Sequence, residues 1–131
     1  MGKEKFLYVV STNVNVALVG VAPHGATLRA SYTAGENKIA LVKYITLSVG
    51  RVTAATTASR VRIWIVFTPY AGPAVNFAEA RIYTNTVGDS DRVAFPVDFR
   101  LMPGEIMSIY TQDASTGGTC DFNGNILIQE V

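Results

Sequence analysis

The sequence predicts an all-β fold, an eight-stranded antiparallel β-sandwich that is jelly-roll-like. Apolar and polar residues alternate in several segments, and turn-forming residues separate those segments at regular intervals. Such alternation is typical of strands with one face in a core and one face outside. Eight short strands with regular turns favour a β-sandwich, and eight strands in two sheets is also the count of a jelly roll.

Two segments carry the alternation most clearly. In the first, Val61, Ile63, Ile65 and Phe67 alternate with arginines and other residues, and in the second the apolar positions are Val93, Phe95, Val97, Phe99 and Leu101. Turn signals lie at 34–37, 69–73, 88–91, 103–104 and 115–118. The order Pro103-Gly104 is that of a type II turn.

These boundaries predict strands at about 13–22, 26–33, 38–50, 59–68, 77–84, 91–101, 105–112 and 119–130, with one short turn near 76–80. A chain of 131 residues suits one domain. We therefore expect a single β-sandwich domain over 13–131, preceded by an N-terminal arm or edge strand over 1–12.

The composition excludes several classes of function. Only 16% of residues are charged and the formal net charge is +1, so we expect no nucleic-acid partner. The segment 6–28 carries no Asp, Glu, Lys or Arg, but Asn13 and Asn15 interrupt it, and we expect no membrane span. The single cysteine, Cys120, cannot form an internal disulfide and is predicted to be a small buried residue.

Candidate catalytic groups are few. His24 is the only histidine and is expected to be a turn residue, so neither a Ser–His–Asp triad nor a cysteine nucleophile has an evident base. Asp89 and Asp91 resemble a fragment of a calcium loop and are expected to be a solvated turn. Asp113 and Asp121 flank a small loop, which also allows a glycosidase pair. We predict no enzyme activity, no cofactor and no metal.

Arginine and aromatic residues concentrate near the middle of the chain. Arg51, Arg60 and Arg62 lie close together in sequence, with Tyr44 and Trp64 available for stacking, which allows oligonucleotide binding on a β surface. The same combination is typical of protein interfaces, and the low net charge favours the interface.

Further aromatic residues extend this candidate surface. Trp64, Tyr70, Tyr83 and Tyr110 could also form a platform for sugars, although some must be core on alternating strands. We predict an assembly interface that includes Arg60, Arg62, Trp64 and Tyr70.

The N-terminal segment is the other candidate for assembly. It begins with the apolar run Phe6, Leu7, Tyr8, Val9 and Val10. Such a run can pair with the edge of a neighbour's sheet. We predict that residues 3–12 form an arm or edge strand used in assembly.

The stretch A-T-L-R-A-S-Y-T-A-G-E-N-K-I-A-L-V-K-Y-I-T-L-S-V-G-R-V, residues 26–52, resembles small structural proteins of tailed phages. In that pattern a strand ends in a tyrosine and is followed by a turn and a long strand of apolar and small residues. The later segment L-M-P-G-E-I-M-S-I-Y-T-Q-D-A-S-T-G-G-T, residues 101–119, resembles them too. The two segments cover about a third of the chain.

The resemblance implies a virion structural protein with a jelly-roll-like fold. It would be a capsid decoration, cement or minor capsid protein, often trimeric, that stabilises the shell by contacts with the major capsid protein or other virion proteins. It would fold in the host cytoplasm and reside in the virion. The alternative is a receptor- or carbohydrate-binding head domain of a phage fibre or tail.

Overall fold

We describe residues 3–14, 27–57, 59–83 and 86–130 of a computed structural model of the chain, with the backbone alone for residues 3–14. These residues form eight strands. The strands are β1 (Lys3–Val14), β2 (Thr27–Thr33), β3 (Ala40–Thr53), β4 (Val61–Thr68), β5 (Val75–Ile82), β6 (Ser90–Leu101), β7 (Ile106–Asp113) and β8 (Thr119–Glu130).

The strands form two antiparallel sheets in a sandwich-like arrangement. One sheet has the order β1-β8-β3-β6 and the other has the order β2-β7-β4-β5. At one side of the sandwich β1 lies against β2, and at the other side β5 lies against β6. The predicted all-β, antiparallel, two-sheet architecture is confirmed.

The core lies between the sheets and is built from the inward positions of both. Alternation places Ile45, Leu47 and Val49 of β3 against Ile63 and Ile65 of β4, and all five are fully buried or nearly so. The long apolar residues Met107, Ile109, Phe122, Ile126 and Ile128 complete it from β7 and β8.

An aromatic cluster closes the side at which β5 meets β6. The ring of Phe99 lies 5.0 Å from the ring of Phe67, edge to face, and 5.0 Å from that of Phe77, tilted. Because edge-to-face geometry is the favoured one for aromatic pairs, this cluster adds to simple area burial in joining the two sheets.

The predicted strand positions agree with β2 to β8 to within a few residues, including β5, which was predicted at 77–84. The strand predicted at 13–22 lies outside the described residues beyond position 14, and the described N-terminal strand is β1. The turn predicted near Asn76–Ala80 is wrong, because these residues lie within β5. A β-bulge there shifts the register between the pairs Ile65↔Ala78 and Val66↔Asn76, which breaks the alternation that sequence patterns rely on.

Candidate functional site

A groove lies on the outer face of the sheet β2-β7-β4-β5. Val61, Ile63 and Ile65 of β4 face the core, so the intervening residues face outwards. The bulge in β5 brings Asn76 opposite Val66. The resulting groove has a volume of about 480 Å³ and is lined by Arg60, Arg62, Trp64, Val66, Thr68, Ala74, Asn76 and Tyr110.

Two stacked aromatic rings form the floor of this groove. Trp64 of β4 pairs with Tyr110 of β7, and their ring centres are 5.6 Å apart with planes inclined by 22°. The guanidinium carbon of Arg62 lies 3.7 Å from the centre of the Trp64 ring, in cation–π contact. Trp64 is only 3% exposed, whereas Tyr110 is partly exposed. The ring of Tyr110 is therefore the aromatic surface that an occupant would meet.

A charged network fixes Arg62 beside the floor. Its Nη1 donates to Oε1 of Glu79 at 2.8 Å, and its Nε donates to Oε1 of Gln112 at 3.1 Å. The other carboxylate oxygen of Glu79 accepts from Nη1 of Arg81 at 3.2 Å. The carboxylate of Glu79 therefore pairs with two arginines, and the network carries a net positive charge.

Arg60 lies at one end of the groove and, unlike Arg62, is not part of the ion-pair network. Its backbone carbonyl accepts from the amide of Ala114 at 3.1 Å, which holds the backbone in place. The residue is half-buried, and its guanidinium forms no ion pair with a carboxylate among the described residues. Arg60 is thus a cation directed at the groove region without a counter-ion there.

The groove brings together three residues predicted for the assembly interface, namely Arg60, Arg62 and Trp64, and one residue of the predicted sugar platform, Tyr110. Tyr70 is not with them. It lies on the β4–β5 connection beside Gly104 and is 81% exposed. Phe6, Leu7, Tyr8, Val9 and Val10 lie in β1 of the other sheet, opposite Leu127 to Asn123 of β8.

The residues of the oligonucleotide alternative do not form one surface. Tyr44 is 43% exposed on β3, a strand of the other sheet. Arg51 is only 2% exposed and lies in the interior. The sugar-platform residues Trp64 and Tyr110 are stacked, and Tyr83 lies farther along, 5.6 Å from the guanidinium of Arg81.

A second polar cluster lies buried at one end of the sandwich and was not predicted. Nη1 of Arg51 lies 3.4 Å from Oδ2 of Asp113, and Nη2 donates to Oγ of Ser115 at 2.8 Å. The backbone amide of Ser115 donates to Oδ1 of Asp113 at 2.9 Å. Both charged side chains are fully buried, and the pair joins β3 of one sheet to β7 of the other.

Cys120 belongs to the same cluster. Its Sγ lies 3.5 Å from Oδ2 of Asp113, and the residue is fully buried, as predicted. Burial, reinforced by the negative charge of Asp113 and opposed by the positive charge of Arg51, raises the pKa of the Cys120 thiol to about 12. The thiol is therefore a packing group and a weak hydrogen-bond donor at neutral pH.

A signal for this cluster was present in the sequence. Arg51 continues the inward phase of Ile45, Leu47 and Val49, and Asp113 continues that of Ile109. A charged residue in the inward phase of each of two strands indicates a buried pair, since an isolated buried charge is costly.

The remaining acidic candidates have structural partners. Oδ2 of Asp91 accepts from the amide of Arg81, and Oδ1 accepts from the amide of Arg92, both at 2.9 Å. Asp113 is buried, whereas Asp121 is exposed. Within the described ranges no group of three or more His, Cys, Asp or Glu residues could hold a metal ion. His24 lies outside these ranges.

No protein-family model matches the sequence, and no curated protein is significantly similar to it. In the part of the chain described above, no helix is long and apolar enough to cross a membrane.

Proposed function

We propose that this chain is a jelly-roll structural subunit of a virion that acts by assembling with copies of itself and with shell proteins. The observation that carries the proposal is the pairing of the strands. The first strand pairs with the last, the second with the seventh, the third with the sixth and the fourth with the fifth.

This nested pairing is what results when one long antiparallel ribbon is rolled into two sheets. Successive strands alternate between the sheets except for β4 and β5, which share one. Jelly rolls of this kind are recurrent in viral capsid and lectin domains. Strand order thus supports the same class that the resemblance at residues 26–52 and 101–119 implies.

The edges of the sheet β1-β8-β3-β6 differ in their protection against pairing. The outer strand β6 contains Pro96, which has no amide hydrogen, and exposes Arg92, Asp98 and Arg100. Proline and charge are devices that keep a sheet edge from pairing with another chain.

At the opposite edge β1 pairs with β8 in regular register from Lys3 to Ser11, and no other described strand pairs with its outer side. Between positions 6 and 11 it contains neither proline nor a charged residue. We therefore assign the contact between subunits to the open side of β1, where backbone hydrogen bonds can add a strand from a neighbour. In keeping with the resemblance, the assembly is a trimer that decorates or cements a capsid shell.

Substitutions in β1 test this assignment. Tyr8 and Val10 lie opposite Asn125 and Asn123 in register. Lysine at both positions, as Tyr8→Lys with Val10→Lys, is expected to convert the oligomer to a monomer, because charged side chains block edge pairing. Native mass spectrometry measures the change.

The matched control is Ala94→Lys, which adds a lysine at an exposed position of the protected strand β6. It is expected to leave the oligomer intact. An oligomer that withstands the double substitution in β1 but dissociates with Ala94→Lys would refute the assignment to β1.

The groove supports a second function, the receptor- or carbohydrate-binding head of a phage fibre or tail. Its aromatic floor of Trp64 and Tyr110, flanked by arginine and amide side chains, is the kind of lining that ligand sites use. The two functions are compatible within one virion protein, because β1 and the groove lie on different sheets.

A further inference from the structure

We infer that the groove on the sheet β2-β7-β4-β5 binds a saccharide that carries a carboxylate. This inference rests on the second proposed function and specifies its ligand class. Three features of the groove carry it, namely its charge, its aromatic floor and its polar far end.

The charge favours an anionic occupant. Arg62 and Arg81 share the single carboxylate of Glu79, and Arg60 has no acidic partner among the described residues. Arg60 and Arg62 therefore line the groove with no acidic residue among its lining, in a chain whose formal net charge is only +1. A guanidinium binds a carboxylate with two parallel, charge-assisted hydrogen bonds. Arg60 is the arginine of the groove whose guanidinium has no carboxylate partner among the described residues and can bind one from a ligand.

The floor favours a ring with an apolar face. Tyr110 is partly exposed and is held flat by its stacked contact with Trp64, which Arg62 covers in turn. A planar aromatic surface that is fixed before binding can contact the apolar face of a sugar ring at low entropic cost. The phenol hydroxyl of Tyr110 adds a polar contact at the edge of this surface.

The far end favours a ligand with many hydroxyl groups. Thr68 and Asn76 line the groove at the end opposite Arg60, and both side chains can donate and accept hydrogen bonds. From Arg60 to Thr68 the strand extends about 26 Å at the usual rise per residue, which suits an oligosaccharide better than a single sugar. A ligand with an acid at one end and hydroxyl groups along its length matches the whole lining.

The structure also supplies the reporter for a test. Trp64 is the only tryptophan in the chain and lies in the groove, so tryptophan fluorescence reports on this site. The full-length protein is titrated at low salt with trigalacturonic acid and 3′-sialyllactose as acidic probes. Maltotriose and lactose are the neutral probes, and inorganic phosphate, an oligothymidylate and an acidic peptide are the competing classes.

We expect at least one acidic saccharide to change the fluorescence with a Kd about tenfold lower than that of the neutral saccharides, because it gains a charge-assisted pair. Arg60→Gln is expected to weaken that binding about tenfold for the same reason. The folding of this variant should be unaffected, since the backbone bond to Ala114 remains. Arg100→Gln, on exposed β6 of the other sheet, is the matched control and should bind like the native protein.

The outcomes separate the inference from the function on which it rests. Saccharide binding without preference for the acidic probes, or unchanged by Arg60→Gln, would overturn the acidic specificity and keep a carbohydrate function. A response to phosphate, oligothymidylate or the acidic peptide with no response to any saccharide would overturn both. Neither result would bear on the assembly through β1, which the native masses of the β1 variants test separately.

Discussion

Gly104 illustrates how one residue is fixed by its backbone and by a neighbour. Its φ is +85°, as the predicted type II turn at Pro103-Gly104 requires, and a Cβ at this position would lie 2.6 Å from the ring of Tyr70. Gly88 has a comparable φ of +92°, but a Cβ there would meet no atom within 4 Å. The two glycines therefore share a backbone constraint and differ in a steric one.

Alanine substitutions at Gly88 and Gly104 separate the backbone constraint from the steric one. Gly88→Ala should lower the free energy of unfolding by about 1 kcal/mol through backbone strain, and Gly104→Ala by about 2 kcal/mol because Tyr70 must also move. In a Tyr70→Ala background the cost of Gly104→Ala should fall to that of Gly88→Ala. Urea denaturation measures all of these. Equal costs for the two glycines with Tyr70 present would contradict the role of the ring.

Cys120 gives a second prediction at this scale, one that concerns pH. Its folded pKa of about 12 is above the ordinary value of 9.0, because burial and Asp113 disfavour the thiolate. The contribution of the thiol to stability is therefore complete below pH 9 and is lost as the pH rises towards 12. We expect the stability of Cys120→Ala to fall less steeply over this interval than that of the native protein, as measured by urea denaturation at each pH. Parallel slopes would show that the thiol does not titrate as proposed.

At the scale of elements, the pair formed by Arg51 and Asp113 ties the end of β3 to the end of β7. Because both side chains are fully buried, removal of one partner leaves an uncompensated charge in the interior. Arg51→Ala should cost about 3 kcal/mol, whereas Arg100→Ala on the exposed face of β6 should cost less than about 0.5 kcal/mol. Thermal and urea unfolding measure both. A cost for Arg51→Ala as small as that of the control would refute the role of the pair.

A double substitution distinguishes the pair from simple packing. Arg51→Met with Asp113→Leu removes both charges and keeps apolar volume, so it should cost less than Arg51→Ala alone. If the double variant is instead as unstable as the sum of the single variants, the hydrogen bonds to Ser115 and Cys120 dominate over the buried charge.

The elements also mark the limits of what the sequence predicts. Strand β6 is predictable, because its single covered face imposes strict alternation of apolar and exposed residues. The bulge in β5 breaks that alternation at Phe77, within the region where a short turn was predicted at the start of the strand at 77–84. The uncharged segment 6–28 carries few signals that fix strand boundaries, and most of the strand predicted at 13–22 lies outside the described residues.

The candidate site was predictable only where its residues share one strand. Arg62 and Trp64 are two apart on β4 and necessarily share a face. Tyr70 was grouped with them because it is near in sequence, but the connection after β4 carries it to Gly104. Tyr110 was grouped with Trp64 by residue type, but its place beside Trp64 follows from strand pairing, which one sequence does not reveal.

At the scale of the whole molecule, the pairing of the first strand with the last places β1 at an edge of its sheet. Lys3 lies opposite Glu130, so β1 is added to the sheet only when β8 is in place. The outer side of β1 is then the open sheet edge through which the proposed assembly forms. The groove lies on the other sheet, so a subunit docked through β1 would still present the groove to a ligand.

We propose above all that the protein functions as an assembly of chains joined through β1. Sedimentation equilibrium tests it most directly, on the full chain and on a chain that lacks residues 1–12, with circular dichroism to verify that both are folded. We expect a species of three times the 14.1 kDa chain mass for the full chain and a monomer for the shortened one. A full chain that stays monomeric at high concentration, and is unchanged by the deletion, would contradict it.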